Sequence, residues 1–186
     1  MRKLLIDLYW LSFALCQCVM CTFACNCMLK VFHSISGISV MTDSIPDNFF
    51  GRFKVDRSEN FDEFLSAKGV GFLTRQIIKF ASVTKVFSKG PTEDTITFEN
   101  LSSKKNVKYE FKLGESFTGE GLDGTQHEVS FNYADGEVSE HHKRLDKPEF
   151  TPETYHYTMS EDNKELIMRM TNNGITCKRF FKRQDA

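Results

Sequence analysis

Short segments in which apolar and polar residues alternate run through most of this chain after Met41, and they constrain the fold more than any other feature. One of them reads Val107-Lys108-Tyr109-Glu110-Phe111. Side chains of an extended strand point alternately to its two faces, so such a segment predicts a strand with one apolar face. Turn sequences such as Asp135-Gly136 separate the segments, which predicts an antiparallel meander. Further segments of this type lie at 49–55, 95–99, 129–133, 166–170 and 175–182.

The interval from residue 60 to 81 has helical rather than alternating spacing. Asn60 and Glu63 are placed as a capping box for a short helix, and Gly69 is placed to end it. A second helix is predicted from the apolar residues that recur between Leu73 and Ala81. The pattern therefore predicts one strand, two helices and about nine further strands. A meander of this size covers its edges best by closing into a barrel, with the helix pair as a lid.

The last predicted strand places an arginine in phase with apolar residues. Arg179 shares one face with Ile175, Cys177 and Phe181. A buried guanidinium is stable only where hydrogen bonds, water or an anion compensate its charge, so this position favours a cavity that receives a carboxylate. The alternative is an arginine that turns out of the strand end into solvent.

Residues 1–40 form a leader that differs in composition from the domain at residues 41–186. The leader carries a net charge of +2 out of a total of −1, which leaves −3 on the domain and argues against nucleic acid as a partner. A basic start and an uncharged stretch from Leu8 to Leu29 are typical of a signal peptide, and hence of a secreted protein. The stretch is also long enough for a retained membrane anchor. Met41 offers a third alternative, a cytoplasmic product that starts there.

Cysteine and histidine usage argues against a metal site. Five of the six cysteines lie in the leader, and the apolar stretch around Cys18 and Cys21 supplies neither a histidine nor turn residues for zinc. His141 and His142 point to opposite faces of a strand and cannot share a metal. We therefore expect no metal and no cofactor. Without the leader, Cys177 alone remains and no internal disulfide is possible.

The segment from Asn48 to Leu65, continuing through Gly69–Arg75, strongly resembles the opening of the intracellular lipid-binding proteins, the fatty acid-binding protein family. Phe111–Gly114 and Cys177–Phe181 match in the same order, so the resemblance covers nearly all of the domain. It implies an all-β fold, a ten-stranded antiparallel up-and-down barrel of the lipocalin-like (calycin) type. Two nearly orthogonal sheets would enclose one long-chain fatty acid under a helix-turn-helix lid. Three segments look most like the secreted nematode branch: Asn100–Lys105, Gly121–Asp123 and Asn172–Gly174.

The resemblance also implies which residues hold the ligand carboxylate, commonly two arginines and a tyrosine deep in the barrel. Arg179 matches the arginine of the final strand, whereas Phe181 takes the tyrosine position and lacks its hydroxyl. Tyr157 lies nearest to the position of the other arginine. The expected site is therefore Arg179 with Tyr157, which should bind a carboxylate less specifically than a pair of arginines.

The ligand tail should supply most of the affinity, at about 0.8 kcal/mol per buried methylene, so the head-group contacts select among ligands. By analogy, Arg75, Lys79 and Lys104 lie near the portal, where they could steer anionic ligands or contact a membrane transiently. The alternative for these three is an ordinary solvated surface. Eight inward-facing residues are expected to line the cavity: Phe53, Tyr109, Phe111, Phe131, Met168, Met170, Cys177 and Phe181.

The leading expectation is a monomeric, non-enzymatic carrier of long-chain fatty acids. A form initiated at Met41 would instead be a cytoplasmic carrier that delivers a fatty acid or a retinoid to a nuclear receptor. A lipid-modifying enzyme would need an activated nucleophile, for which Cys177 near Arg179 is the local candidate.

Overall fold

The computed structural model describes residues 44–184, and the leader predicted at residues 1–40 lies outside them. The described chain begins with a 3-10 helix (Asp47–Phe49) and has two α-helices between its first two strands, α1 (Phe61–Ala67) and α2 (Phe72–Phe80). Neither helix of this part of the chain has the length and apolarity needed to cross a bilayer. The strands are β1 (Gly51–Glu59), β2 (Val83–Lys89), β3 (Ile96–Ser102), β4 (Val107–Phe111), β5 (Ser116–Glu120), β6 (Gln126–Ala134), β7 (Glu137–Arg144), β8 (Glu153–Met159), β9 (Glu165–Asn172) and β10 (Ile175–Gln184).

The ten strands form one antiparallel sheet in which β1 pairs with β10 as well as with β2. This pairing of the first and last strands bends the meander into a barrel. Within residues 44–184, β4 and β5 are the two edges of the sheet and do not pair with each other. The predicted all-β barrel with a helix pair is confirmed, and its two predicted sheets are joined by continuous backbone pairing everywhere except between β4 and β5.

Side chains bridge the opening between β4 and β5. The Tyr109 hydroxyl donates a 2.8 Å hydrogen bond to the carbonyl oxygen of Glu120, and Lys105 Nζ lies 2.6 Å from Oε1 of Glu120. Gly119 is needed here because a Cβ at this position would lie 2.7 Å from the Tyr109 ring. These contacts hold the two edges together where backbone hydrogen bonds are missing.

The alternation predicted from the sequence places apolar side chains inside the barrel. In β4, for example, Val107, Tyr109 and Phe111 are buried and the residues between them are exposed. Strand β10 departs from strict alternation at Phe180. This outward residue is buried because the Arg57 guanidinium lies 3.9 Å from the centroid of its ring.

Helix α1 occurs where the sequence predicts it, but its N-terminal cap differs from the prediction. Asn60 has a left-handed backbone with φ of 54° and makes no side-chain capping bond, so the predicted capping box with Glu63 is wrong. The Asn60 amide donates instead to the carbonyl oxygen of Thr176 on β10, at 3.3 Å. A tertiary contact therefore replaces the local cap. Gly69 follows the helix with a positive φ of 77°, as expected for a glycine that ends a helix.

The apolar stripe of α2 faces solvent rather than the core. Leu73, Ile77 and Phe80 are between 53% and 86% exposed, while Ile78 packs against the core. Arg75 joins α2 to α1 by donating to the Asp62 carboxylate at 3.3 Å. Polar contacts thus contribute to holding the second helix, and most of its large apolar side chains are left uncovered by the described residues.

Candidate ligand-binding site

Arg179 and Tyr157 lie in one row across three adjacent strands. Arg179 on β10 is opposite Met168 on β9, which is opposite Tyr157 on β8. Arg179 is 9% exposed and Tyr157 is fully buried, so the arginine points into the barrel and does not turn out to solvent. The structure therefore brings both residues of the expected carboxylate site to one wall of the interior.

Arg179 is a buried cation with few partners. Its guanidinium carbon lies 4.3 Å from the ring centroid of Phe61 on α1, and its Nε donates a long hydrogen bond of 3.4 Å to Ser58 Oγ. Among residues 44–184 no carboxylate forms a salt bridge with it, and burial lowers its pKa below the usual value. An arginine nevertheless stays protonated in a protein. A positive charge to which the described residues give no counter-charge therefore faces the barrel interior.

A second buried cation, Lys85 on β2, has the partners that Arg179 lacks. Lys85 is 4% exposed, and its Nζ donates to the Tyr157 hydroxyl at 3.2 Å. That hydroxyl donates to Oε2 of Glu140 on β7, which is 3% exposed. His142 Nε2 donates to the other carboxylate oxygen, Oε1, at 2.8 Å. We call these four residues the Lys85–Glu140 chain, because it pairs a buried lysine with a buried carboxylate through one phenol.

The pKa shifts in the Lys85–Glu140 chain follow from burial and from these contacts. Burial lowers the pKa of Lys85 to about 8, although Glu140 opposes the change. Burial alone would raise the pKa of Glu140, but His142, Lys85 and Tyr157 together outweigh burial and lower it. Burial and Glu140 raise the pKa of Tyr157 well above its usual value, so the phenol keeps its proton. Since the hydroxyl has one proton, Tyr157 can donate to a ligand only by turning away from Glu140.

The sequence reasoning missed Lys85 and Glu140, although the signal that identified Arg179 is present for both. Lys85 is in phase with the buried Phe87 on β2, and Glu140 is in phase with the buried Val138 on β7. A charged residue on the apolar face of a predicted strand would have identified them as interior residues.

All eight residues expected to line the cavity lie in the barrel core. Each is at most 6% exposed, and all belong to one cluster of buried apolar residues. Aromatic rings from different strands contact one another there, such as Phe111 and Phe131 at a centroid distance of 4.0 Å. Contact of these side chains with a ligand stays a prediction. The eight are Phe53, Tyr109, Phe111, Phe131, Met168, Met170, Cys177 and Phe181.

Two openings flank the unpaired edges β4 and β5. One has a volume of about 380 Å³ and is lined by Tyr109 and Gly119 among others, and the other has about 240 Å³ and is lined by Phe111 and Phe117 among others. Arg179 lines neither of them. They are therefore separate from the expected carboxylate site.

The three expected portal cations lie on two different elements. Arg75 and Lys79 on α2 share the Asp62 carboxylate of α1, at 3.3 Å and 3.6 Å. Lys104 is exposed in the turn between β3 and β4 and forms no salt bridge with a residue in 44–184. The structure thus brings two of the three together, and a role in steering ligands stays a prediction.

Polar contacts fix helix α1 over the barrel. Lys68 Nζ, just after the helix, lies 2.5 Å from Oε1 of Glu153 on β8. The Tyr155 hydroxyl donates to the other oxygen of Glu153 at 2.5 Å. The Asn173 amide, in the turn between β9 and β10, donates to the Ala67 carbonyl at 3.0 Å. Two side chains of α1 itself are also buried in the core, so apolar packing holds this helix together with these polar contacts.

Cys177 does not have the surroundings of a catalytic thiol. The side chain is fully buried, and burial raises its pKa to about 11, so it is a thiol rather than a thiolate at neutral pH. In the part of the chain that the structure describes, no group of His, Cys, Asp and Glu side chains could hold a metal ion.

Comparison with known proteins shows what this chain resembles. No family model matches it. Fatty acid-binding protein homolog 3 of Caenorhabditis elegans is 50% identical over 162 residues, which cover 85% of this chain and 96% of that protein. Homolog 4 of the same organism is 53% identical over 141 residues, covering 75% of this chain and 97% of that protein.

A solved structure gives the same result at the level of the fold. The structure described as As-p18, an extracellular fatty acid binding protein, has a TM-score of 0.72 and 40% identity to this chain. The aligned region covers 76% of this chain and 99% of As-p18. Identity at this level over nearly the whole length of the relatives shows that this chain belongs to the fatty acid-binding protein family, whose members are carriers rather than enzymes.

Proposed function

We propose that this protein binds and transports long-chain fatty acids and that Arg179 holds the ligand carboxylate inside the barrel. The observation that carries this proposal is a buried guanidinium that forms no salt bridge with any residue in 44–184. A ligand carboxylate would supply the missing negative charge through charge-assisted hydrogen bonds. The relatives that are described as fatty acid-binding proteins support this class of ligand.

The tail of the ligand would lie against the eight buried apolar residues named above. Met168 lies between Arg179 and Tyr157 in the same row, where its flexible side chain can adapt to an acyl chain. Each buried methylene contributes about 0.8 kcal/mol, so the tail supplies affinity and Arg179 selects a carboxylate. Tyr157 would be the second donor once its hydroxyl turns from Glu140 to the ligand.

The test is to compare a fatty acid with its methyl ester by calorimetry. Arg179→Met should weaken binding of the acid by about 10- to 100-fold, because a charged hydrogen bond contributes about 1.5–3 kcal/mol, and should affect the ester far less. Arg169→Met is the matched control, since Arg169 lies on β9 but is exposed. Equal losses for the acid and the ester would contradict a carboxylate site at Arg179.

We also propose that α2 contacts membranes transiently when ligand is transferred. Its exposed residues include Phe72, Leu73 and Phe80, and Lys79 lies on the same helix. Apolar side chains beside a cation suit the interface of an anionic bilayer. Leu73→Gln with Phe80→Gln should reduce co-sedimentation with anionic vesicles, and unchanged co-sedimentation would contradict the proposal.

The finer expectations on location and assembly are proposals as well. We propose a secreted monomer, and the description of As-p18 as extracellular supports secretion. N-terminal sequencing of the native protein distinguishes a cleaved signal peptide from a cytoplasmic start at Met41. Size-exclusion chromatography with light scattering tests the monomer.

A further inference from the structure

Asn100 is a buried polar residue whose side-chain oxygen lacks a partner in the described structure. It lies on β3 directly opposite Lys85 of β2, on the inner face of the barrel, and is 5% exposed. Its Oδ1 atom has no hydrogen-bond partner within residues 44–184. An unpaired buried amide destabilises the folded state, so an amide at this position points to a partner that the described chain does not supply.

The charges around Asn100 favour an uncharged partner. Its neighbour Lys85 is already paired with Glu140 through the Tyr157 hydroxyl. A second ligand carboxylate at this position would meet the negative charge of Glu140 in a region shielded from water. An uncharged group would avoid this repulsion.

A hydroxyl group matches both residues at once. It can donate its proton to Asn100 Oδ1 and accept a hydrogen bond from Lys85 Nζ, because the ammonium has three donors and one of them is directed to Tyr157. If the Asn100 amide is turned over, the same hydroxyl can accept from Nδ2 instead. In the amide orientation of the structure, a carbonyl group, which only accepts, would leave Oδ1 unpaired.

This position belongs to the same interior as Arg179. Tyr157, which bonds to Lys85, lies in the row that contains Arg179, and the Arg179 charge acts on Lys85. One ligand can therefore reach both places with different groups.

We propose that Asn100 and Lys85 form a second polar subsite, which binds a hydroxyl on the chain of a fatty acid whose carboxylate lies at Arg179. The preferred ligands are then monohydroxylated long-chain fatty acids. This inference rests on the proposed function, since it takes the carboxylate at Arg179 as given.

The test is a competition assay with stearic acid and a positional series of monohydroxystearic acids. The wild-type protein should bind at least one hydroxystearic isomer about tenfold more tightly than stearic acid. Asn100→Leu should remove that preference, which is measured in each protein as the ratio of its affinities for the hydroxystearic isomer and for stearic acid. Asn132→Leu on the outer side of β6 is the matched control and should keep the preference. Thermal unfolding should show that Asn100→Leu is folded and no less stable, because an unpaired amide has been removed.

The outcomes separate this inference from the proposed function. If stearic acid binds and Arg179→Met weakens it, but no hydroxystearic isomer is preferred, the second subsite is contradicted and the fatty acid site stands. A preference that survives in Asn100→Leu also overturns the subsite. If none of these acids binds, both proposals are contradicted.

Discussion

The two buried cations of this barrel lie in the same interior but differ in how their charge is compensated. Lys85 reaches Glu140 through the Tyr157 hydroxyl. Arg179 has one long hydrogen bond to Ser58 and no salt bridge with a residue in 44–184. Burial lowers the pKa of both groups, so both positive charges are held at a cost in free energy.

This difference separates a charge that the protein itself pairs from a charge that we propose is paired by a ligand. A carboxylate provided by the chain stabilises Lys85 in the absence of ligand. The carboxylate proposed for Arg179 comes from outside, so ligand binding should stabilise the folded protein in proportion to the occupancy of the site.

The largest expected effect tests which of the two buried cations needs a carboxylate of the protein to compensate its charge. Glu140→Leu should destabilise the ligand-free protein by about 3–5 kcal/mol, because it leaves the buried Lys85 without a carboxylate. Arg179→Met should have little effect or increase the free energy of unfolding, because it removes a buried charge that has no counter-charge among residues 44–184. Urea unfolding of the delipidated proteins measures both. A greater loss in Arg179→Met than in Glu140→Leu would contradict the comparison.

The next effect concerns pH and Lys85. The pKa of this lysine is about 8 in the folded protein and ordinarily 10.5. Below pH 8 the folded protein therefore keeps a buried ammonium, which lowers its free energy of unfolding. Between these values the folded lysine loses its proton while the unfolded one keeps it, and this destabilisation disappears. The free energy of unfolding of the wild type should therefore rise relative to Lys85→Met by about 3 kcal/mol across this interval.

Comparing the wild type with Lys85→Met controls for other groups that titrate in the same pH range. Cys177, whose pKa burial raises from 9.0 to about 11, lowers stability with rising pH from about pH 9, but it does so in both proteins and cancels. A constant difference between wild type and Lys85→Met from pH 7 to pH 10 would contradict the buried lysine.

A smaller effect should follow from removing the phenol that links Lys85 to Glu140. Tyr157→Phe keeps the ring and deletes the hydroxyl that contacts both groups. We expect a loss of about 1–3 kcal/mol, since two buried charged groups each lose a partner. Chemical denaturation measures it, and an unchanged midpoint would show that Lys85 and Glu140 do not depend on this hydroxyl.

The smallest effect is expected at Ser58, the only hydrogen-bond partner that the described residues give to the Arg179 guanidinium. Ser58→Ala removes a bond of 3.4 Å, which is long for a hydrogen bond, so the loss should be about 0.5 kcal/mol or less. Differential scanning calorimetry of the two delipidated proteins measures it. A loss as large as that of Tyr157→Phe would mean that the protein itself compensates Arg179.

Alternation along the chain was enough to predict the barrel, and helical spacing was enough to predict its helix pair. Alternation placed Arg179 in phase with apolar residues but left open a side chain that turns out to solvent. It could not show that Lys85 and Glu140 share the Tyr157 hydroxyl. That contact joins β2 to β7 and β8 and depends on how the barrel closes. Periodicity assigns a residue to a face but does not identify the residue that it meets.

The cap of α1 and the exposure of α2 show the same limit. Asn60 has the sequence context of a capping residue, yet its amide bonds to Thr176, which is distant in sequence. The apolar residues of α2 have the predicted helical spacing, but spacing does not reveal whether anything covers Leu73 and Phe80. In both cases tertiary structure decides what the local pattern leaves open.

The most direct test of a ligand carboxylate at Arg179 is a carbon-13 NMR titration of carboxyl-labelled palmitic acid bound to the protein. We expect one bound carboxyl resonance whose chemical shift stays constant as the pH falls to about 4, because a neighbouring guanidinium lowers the pKa of a carboxylate. The same resonance in Arg179→Met should titrate at a higher pH. A bound carboxyl that titrates identically in the two proteins would contradict the proposed site.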